Sequence, residues 1–124
     1  MYLRFIIGVE DIMDIKITKH INKVENNRVE FLFVNFDFFD GNDLIAKILC
    51  NKYGMIVGEK IDGMFYSIIP LNDKNKEYKL VWHEDVGNYF YSEDQDEKTL
   101  ERILGVVESL EQELNSKFGQ KSKN

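Results

Sequence analysis

The string best suited to chemistry is His83-Glu84-Asp85, an imidazole that titrates near neutral pH beside two carboxylates. Such a trio could move protons on a substrate if its side chains met. Successive residues of a strand point to opposite faces, however, so His83 and Glu84 meet only if the chain turns between them. A strand ending in a polar turn explains the three residues more simply. The other histidine, His20, stands on the polar side of an alternating segment, and two histidines without a spaced third ligand make a poor metal site. Asp37, Asp40, Asn42 and Asp43 begin like an oxygen-rich calcium loop. The sixth and twelfth places, which need a glycine and a bidentate glutamate, hold Asn42 and Ile48 instead. Those residues read as turn and helix-cap chemistry. Phosphate-loop, nucleophile-elbow and zinc-protease motifs are absent from the sequence, so no cofactor and no metal are expected. Cys50, beside Leu49 in a helical pattern, reads as a small hydrophobe and not as a nucleophile.

The densest charge feature is Glu93, Asp94, Asp96 and Glu97. Anions at a helix start complement its dipole, which accounts for two of the four. Glu101 and Glu108 continue the negative stripe along the following helix. Tyr89, Phe90 and Tyr91 precede the string, and Tyr66, Tyr78 and Trp82 fall on neighbouring predicted strands where they could share one sheet face. Where such aromatics are exposed beside carboxylates, the combination suits a protein interface with apolar anchors and charges that steer a basic partner. Where they are buried, they are core.

These residues are positioned by elements that the periodicity sets out. Asp14 to Asn22 alternates Ile15, Ile17 and Ile21 against polar residues, the period of a half-buried strand, and Val29 to Phe36 is a nearly continuous apolar run that predicts a central strand covered on both faces. Leu44, Ile45, Ile48 and Leu49 form one helical stripe, with Asn42 as cap and Gly54 just past the end. Met55 to Lys60, Met64 to Leu71, Glu77 to His83 and Asn88 to Tyr91 read as four short strands, with Asp62-Gly63 as the strongest hairpin signal and Pro70 marking an edge or a strand end. Leu100, Ile103, Leu104, Val107, Leu110, Leu114 and Phe118 give a long amphipathic helix capped by Asp94 or Asp96, in which Glu111 is out of place. The fold class is therefore α+β: an antiparallel sheet of about five to six strands, in the order ββα then ββββ then α, with two helices packed on one face. The sheet's other face is left for solvent or a partner.

At 124 residues, without repeats or a linker, the chain reads as a single domain, 1–124, and its 44% apolar composition is that of a folded protein. Sixteen basic against 22 acidic residues leave a net charge of -6, which argues against direct nucleic-acid binding and for a basic partner. One cysteine makes no internal disulfide, as fits a reducing cytoplasm. Leu3 to Val9 is broken by Arg4 and far short of the roughly 20 residues of a membrane span, so neither an anchor nor a secretory signal is expected. Met13 would serve as an alternative first residue, with Met1 to Ile12 a dispensable extension; the competing reading makes Met1 to Val9 an edge strand. The terminal 119–124 should fray.

In size, acidity and element order, Met13 to Phe118 resembles the immunity proteins that bacteria encode beside polymorphic toxins, including those of contact-dependent growth inhibition systems. The resemblance implies a non-enzymatic protein that binds a cognate toxin domain, often a nuclease whose basic cleft is plugged by carboxylates. On that reading Glu84, Asp85, Glu93, Asp94, Asp96 and Glu97 form the toxin-binding surface, with Trp82, Tyr89 and Tyr91 as apolar anchors. Three alternatives stand beside it: a small enzyme using His83 with Glu84 or Asp85, a phage-type inhibitor that mimics nucleic acid through Glu97, Glu101 and Glu108, and a homo-oligomer formed through the free sheet face or an edge.

Overall fold

A computed structural model describes residues 14–118; both readings of Met1 to Ile12 and the expected fraying of 119–124 lie outside them. The elements are β1 (Lys16–Asn22), β2 (Arg28–Val34), α1 (Gly41–Tyr53), β3 (Ile56–Val57), β4 (Ile61–Asp62), β5 (Tyr66–Asp73), β6 (Lys76–His83), β7 (Gly87–Ser92) and α2 (Glu97–Phe118). Period-two alternation decides which side of each strand is dry. Ile17 faces Phe33, Phe31 faces Phe90, Phe90 faces Leu80 and Leu80 faces Ile69, so one row of large apolar side chains crosses the sheet. That row meets Ile45 and Leu49 of α1 and Ile103, Leu110 and Leu114 of α2 in one buried core. Fully burying a leucine such as Leu110 stabilises the fold by about 1.5–3 kcal/mol.

The strands run β1-β2-β7-β6-β5-β3, with β4 also paired to β5, and every pairing is antiparallel. The fold is α+β with both helices on one face, and the sheet has seven strands because two of them are dipeptides. The expected strand over Met55 to Lys60 shrinks to Ile56–Val57, and Ile61–Asp62 adds another. β2 lies second from the edge, not at the centre. Its Phe31 and Phe33 are buried under the helices, whereas Leu32 on the opposite side is half-buried. Val81 and Tyr91 are also buried but lie outside the helix-side core, on the open face.

Pro70 fits its place within β5. Its carbonyl accepts from Gly58 N–H at 2.8 Å, so its nitrogen faces the gap between β3 and β4, where no ladder donor is needed. Asp62-Gly63 is not the centre of a hairpin turn. Gly63 N–H donates to Tyr66 across a tip formed by Met64 and Phe65, and a Cβ on Gly63 would sit 2.2 Å from the Tyr66 ring. This glycine makes room for an aromatic ring. Paired positive φ angles occur instead at Lys74-Asn75, 52° and 71°, which join β5 to β6.

α1 ends as expected, with Gly54 in the left-handed region at φ 70°. Its start differs. Asp40 occupies the cap position without a side-chain bond, while Asn42 is inside the first turn, fully buried, and donates to Ser67 Oγ at 3.3 Å. Asn42 therefore ties α1 to β5 and does not cap it. Cys50 is exposed, on the solvent side of α1.

In α2 the buried stripe is Thr99, Ile103, Val106, Val107, Leu110 and Leu114, whereas Leu104 and Phe118 are 47% and 46% exposed. Glu111 and Asn115 have a specific task. Glu111 accepts the Ile17 N–H at 2.8 Å, and the Asn115 carboxamide both accepts from Ile15 N–H and donates to Ile15 C=O, at 2.9 and 2.8 Å. The side chains of a helix thus stand in for a neighbouring strand at Ile15 and Ile17, where the edge of β1 begins.

Asp96 caps α2 by accepting Thr99 N–H at 2.7 Å, and that bond holds its carboxyl at about 2. A carboxyl depressed on folding contributes stability that is complete above the unfolded value near 3.8 and fades as pH falls through 2. Asp96→Ala should therefore lower the melting temperature at pH 6 but match the wild type near pH 1.5. Parallel melts across that range check it, and a pH-independent difference would mean that the carboxylate charge contributes nothing.

Candidate functional site

Three connections meet at one end of the sheet: residues 35–40, the β4–β5 tip, and the β6–β7 turn at Glu84, Asp85 and Val86. Glu84 N–H donates to Phe65 C=O at 2.9 Å, tying the two turns together. Trp82 Nε1 donates to Asp37 C=O at 2.9 Å, and the Trp82 ring meets Phe39 edge to face at 5.0 Å. Asn88, buried beneath, donates to the carbonyls of Phe36 and Phe38 at 2.9 and 3.1 Å. Gly87 lets residue 37 approach, since its φ is +90° and a Cβ there would lie 2.7 Å from Asp37 Cβ.

This framework holds apolar side chains in solvent. Met64 is 85% exposed, Phe65 52% and Phe39 50%, with Phe38, Tyr66 and Val86 also exposed. Asp37, Asp40, Asp62, Glu84 and Asp85, on or beside the same connections, are exposed too. Lys60 pairs with Asp43 at 2.9 Å and lies 5.4 Å over the Phe39 ring, so an ammonium already uses this aromatic surface. Chemically the arrangement offers exposed apolar contact on connections that also carry carboxylates.

Of the nine residues expected to form one binding surface, Tyr89 and Tyr91 lie within β7 and the other seven are divided between two ends of the sheet. Trp82, Glu84 and Asp85 belong to the loop end. Glu93, Asp94, Asp96 and Glu97 follow β7 at its opposite end, about 20 Å away for a six-residue strand. Three of its four carboxylates are also ion-paired within the chain, to two lysines. Asp94 pairs with Lys76, Asp96 lies 3.6 Å from Lys76, and Glu93 pairs with Lys79, which also meets Glu77 at 3.3 Å. Glu97 is exposed in the first turn of α2. The string completes a cap and two ladder-end ion pairs.

The aromatics do not share one face. Tyr78 is core and Trp82 lies on the helix side, whereas Tyr66, Tyr89 and Tyr91 occupy the open face. Arg28 stacks over Tyr91 at 3.7 Å, and its guanidinium binds the buried Glu30 at 2.9 Å, which also accepts from Asn22. Burial raises the Tyr89 and Tyr91 phenols above their ordinary value. These tyrosines are rigid parts of the open face. Their degree of burial makes them weak anchors.

His83 Nδ1 accepts the Asp85 backbone N–H at 3.0 Å, so the ring helps to shape the turn. Among the described residues no group of three or more His, Cys, Asp or Glu is arranged to hold a metal ion. No described helix is long and apolar enough to cross a membrane. The contribution of Phe38, Phe39, Met64 and Phe65 was missed at the sequence level. A signal was present: apolar residues at the tips of connections full of Asp and Gly, where no core is within reach. No protein-family model, curated protein or solved structure matches the chain.

Proposed function

We propose that the protein is an inhibitor of the immunity type, acting in the bacterial cytoplasm, that binds a basic toxin domain, a nuclease in the leading case. The carrying observation is the loop end, where Phe39, Met64 and Phe65 are exposed on connections that also carry exposed carboxylates. Interfaces gather binding energy in a few aromatic anchors at the centre and set orientation with charge at the rim. In a chain of net charge -6 the rim favours a cationic surface, such as the substrate cleft of a nuclease. Of the residues expected from the sequence, the contact surface keeps Trp82, Glu84 and Asp85, gains Asp37, Phe39, Asp40, Met64 and Phe65, and loses Tyr89, Tyr91 and the acidic string at the start of α2.

The test starts with the purified chain as bait in lysate of its own source at low salt. The expected result is retention of one basic protein whose nuclease activity falls on addition of the chain. A variant with Asp37, Asp40, Glu84 and Asp85 changed to lysine should neither retain nor inhibit it, and reversal of Glu93 and Asp94 should have little effect. If the acidic string at α2 matters and the loop end does not, the site is misplaced. If the chain inhibits nothing that it retains, the inhibitor reading fails.

A further inference from the structure

On the helical side a second concavity, independent of the inhibitor reading, runs between α1 and the last turns of α2. It encloses about 390 Å³, within the range of small-molecule sites. Leu44, Ile48 and Phe118 supply its apolar lining, and Phe118 is held by its ring 5.8 Å from that of Phe36. The rim is cationic. Lys52 and Lys117 share one carboxylate, Glu113, at 3.8 and 3.7 Å, and Lys47 has no ion-pair partner among the described residues. Three ammonium groups against one carboxylate leave a local excess of positive charge on a chain of net charge -6.

We propose that this groove binds one medium-chain carboxylate, with its alkyl chain along Leu44, Ile48 and Phe118 and its head among Lys47, Lys52 and Lys117. The lining gives an alkyl chain a place out of water. The lysines attract an anion that the rest of the protein repels. Each lysine ammonium meets a carboxylate head as a compact point charge.

The test is a titration of the full chain with sodium decanoate below its micelle concentration, followed by amide NMR. The expected shifts saturate at one equivalent and map to residues 44–52 and 113–118. Lys47→Glu with Lys117→Glu, both at exposed positions, should weaken binding at least tenfold. Decanol, the uncharged counterpart, should bind the unaltered protein at least tenfold more weakly, an arm that needs no variant to fold. Shifts that do not saturate, that map to the loop end or the open sheet face, or that ignore both charge changes would overturn the proposal. Preference for an acidic amphipathic peptide in direct competition would also overturn it, by assigning the groove to a protein segment.

Discussion

Asn88→Ala should lower the unfolding free energy by about 3 kcal/mol, a large fraction of the roughly 5–15 kcal/mol that holds a domain together. Asn88 is 1% exposed and its amide group donates to two carbonyls, those of Phe36 and Phe38. Alanine removes both bonds, deprives the Phe36 carbonyl of its Asn88 donor while the Phe38 carbonyl keeps the Gly41 N–H at 3.0 Å, and opens a cavity against Gly41, whose backbone packs directly on the Asn88 amide. A buried group deprived of its partner costs about 1–3 kcal/mol. One gain offsets part of the loss, because Asn88 Oδ1 is buried with no hydrogen-bond partner and its desolvation cost disappears with it. Urea denaturation measures the total. Amide exchange should accelerate first at residues 36–40, because Asn88 holds their backbone. An unchanged midpoint would mean that the connection is fixed by Trp82 and Gly87 alone.

Phe39→Ala should reduce partner affinity by about 30-fold or more, the scale of an interface hot spot, while leaving the melting temperature nearly unchanged. The ring is half exposed, so the fold gains little from it, yet Trp82 fixes it edge to face and an incoming surface meets it already ordered. Phe65→Ala should act in the same direction. Val24 provides the control: it is 92% exposed beside the Asn26-Asn27 turn, outside the loop-end patch, and Val24→Ala should change nothing. Inhibition titrations of the captured partner give the numbers. Equal effects of Phe39→Ala and Val24→Ala would remove the aromatic tip from the interface.

The elements that sequence reasoning located share a strong local period. Ile15, Ile17 and Ile21 announce β1, and the leucine and isoleucine spacing of α2 announces a sheet-covering helix. The dipeptides β3 and β4 carry too few residues for any period, and only their pairing with β5 makes them strands. Glu111 looked misplaced on α2 because its partner, the Ile17 amide, is remote in sequence. The candidate site was legible in kind, aromatic and acidic, but only half in place. Glu84 and Glu93 are nine positions apart, and what separates them in space is the straightness of β7, which adjacency in the sequence conceals. Pairing of Glu93 and Asp94 with Lys79 and Lys76 depends on β6 lying alongside, which tertiary structure alone decides.

The three-residue pairing of β2 with β7, Glu30 with Tyr91, Phe31 with Phe90 and Leu32 with Tyr89, bears on how the chain reaches this structure. The β1–β2 hairpin and the β5–β6–β7 meander each form from neighbouring segments and can close within microseconds. Joining them requires strands separated by α1 and four strand segments to meet, and that loop-closure entropy is spent before the Phe31–Phe90 contact returns anything. Phe31→Ala and Phe90→Ala are therefore expected to slow refolding, as stopped-flow kinetics would show, because both side chains lie at this seam.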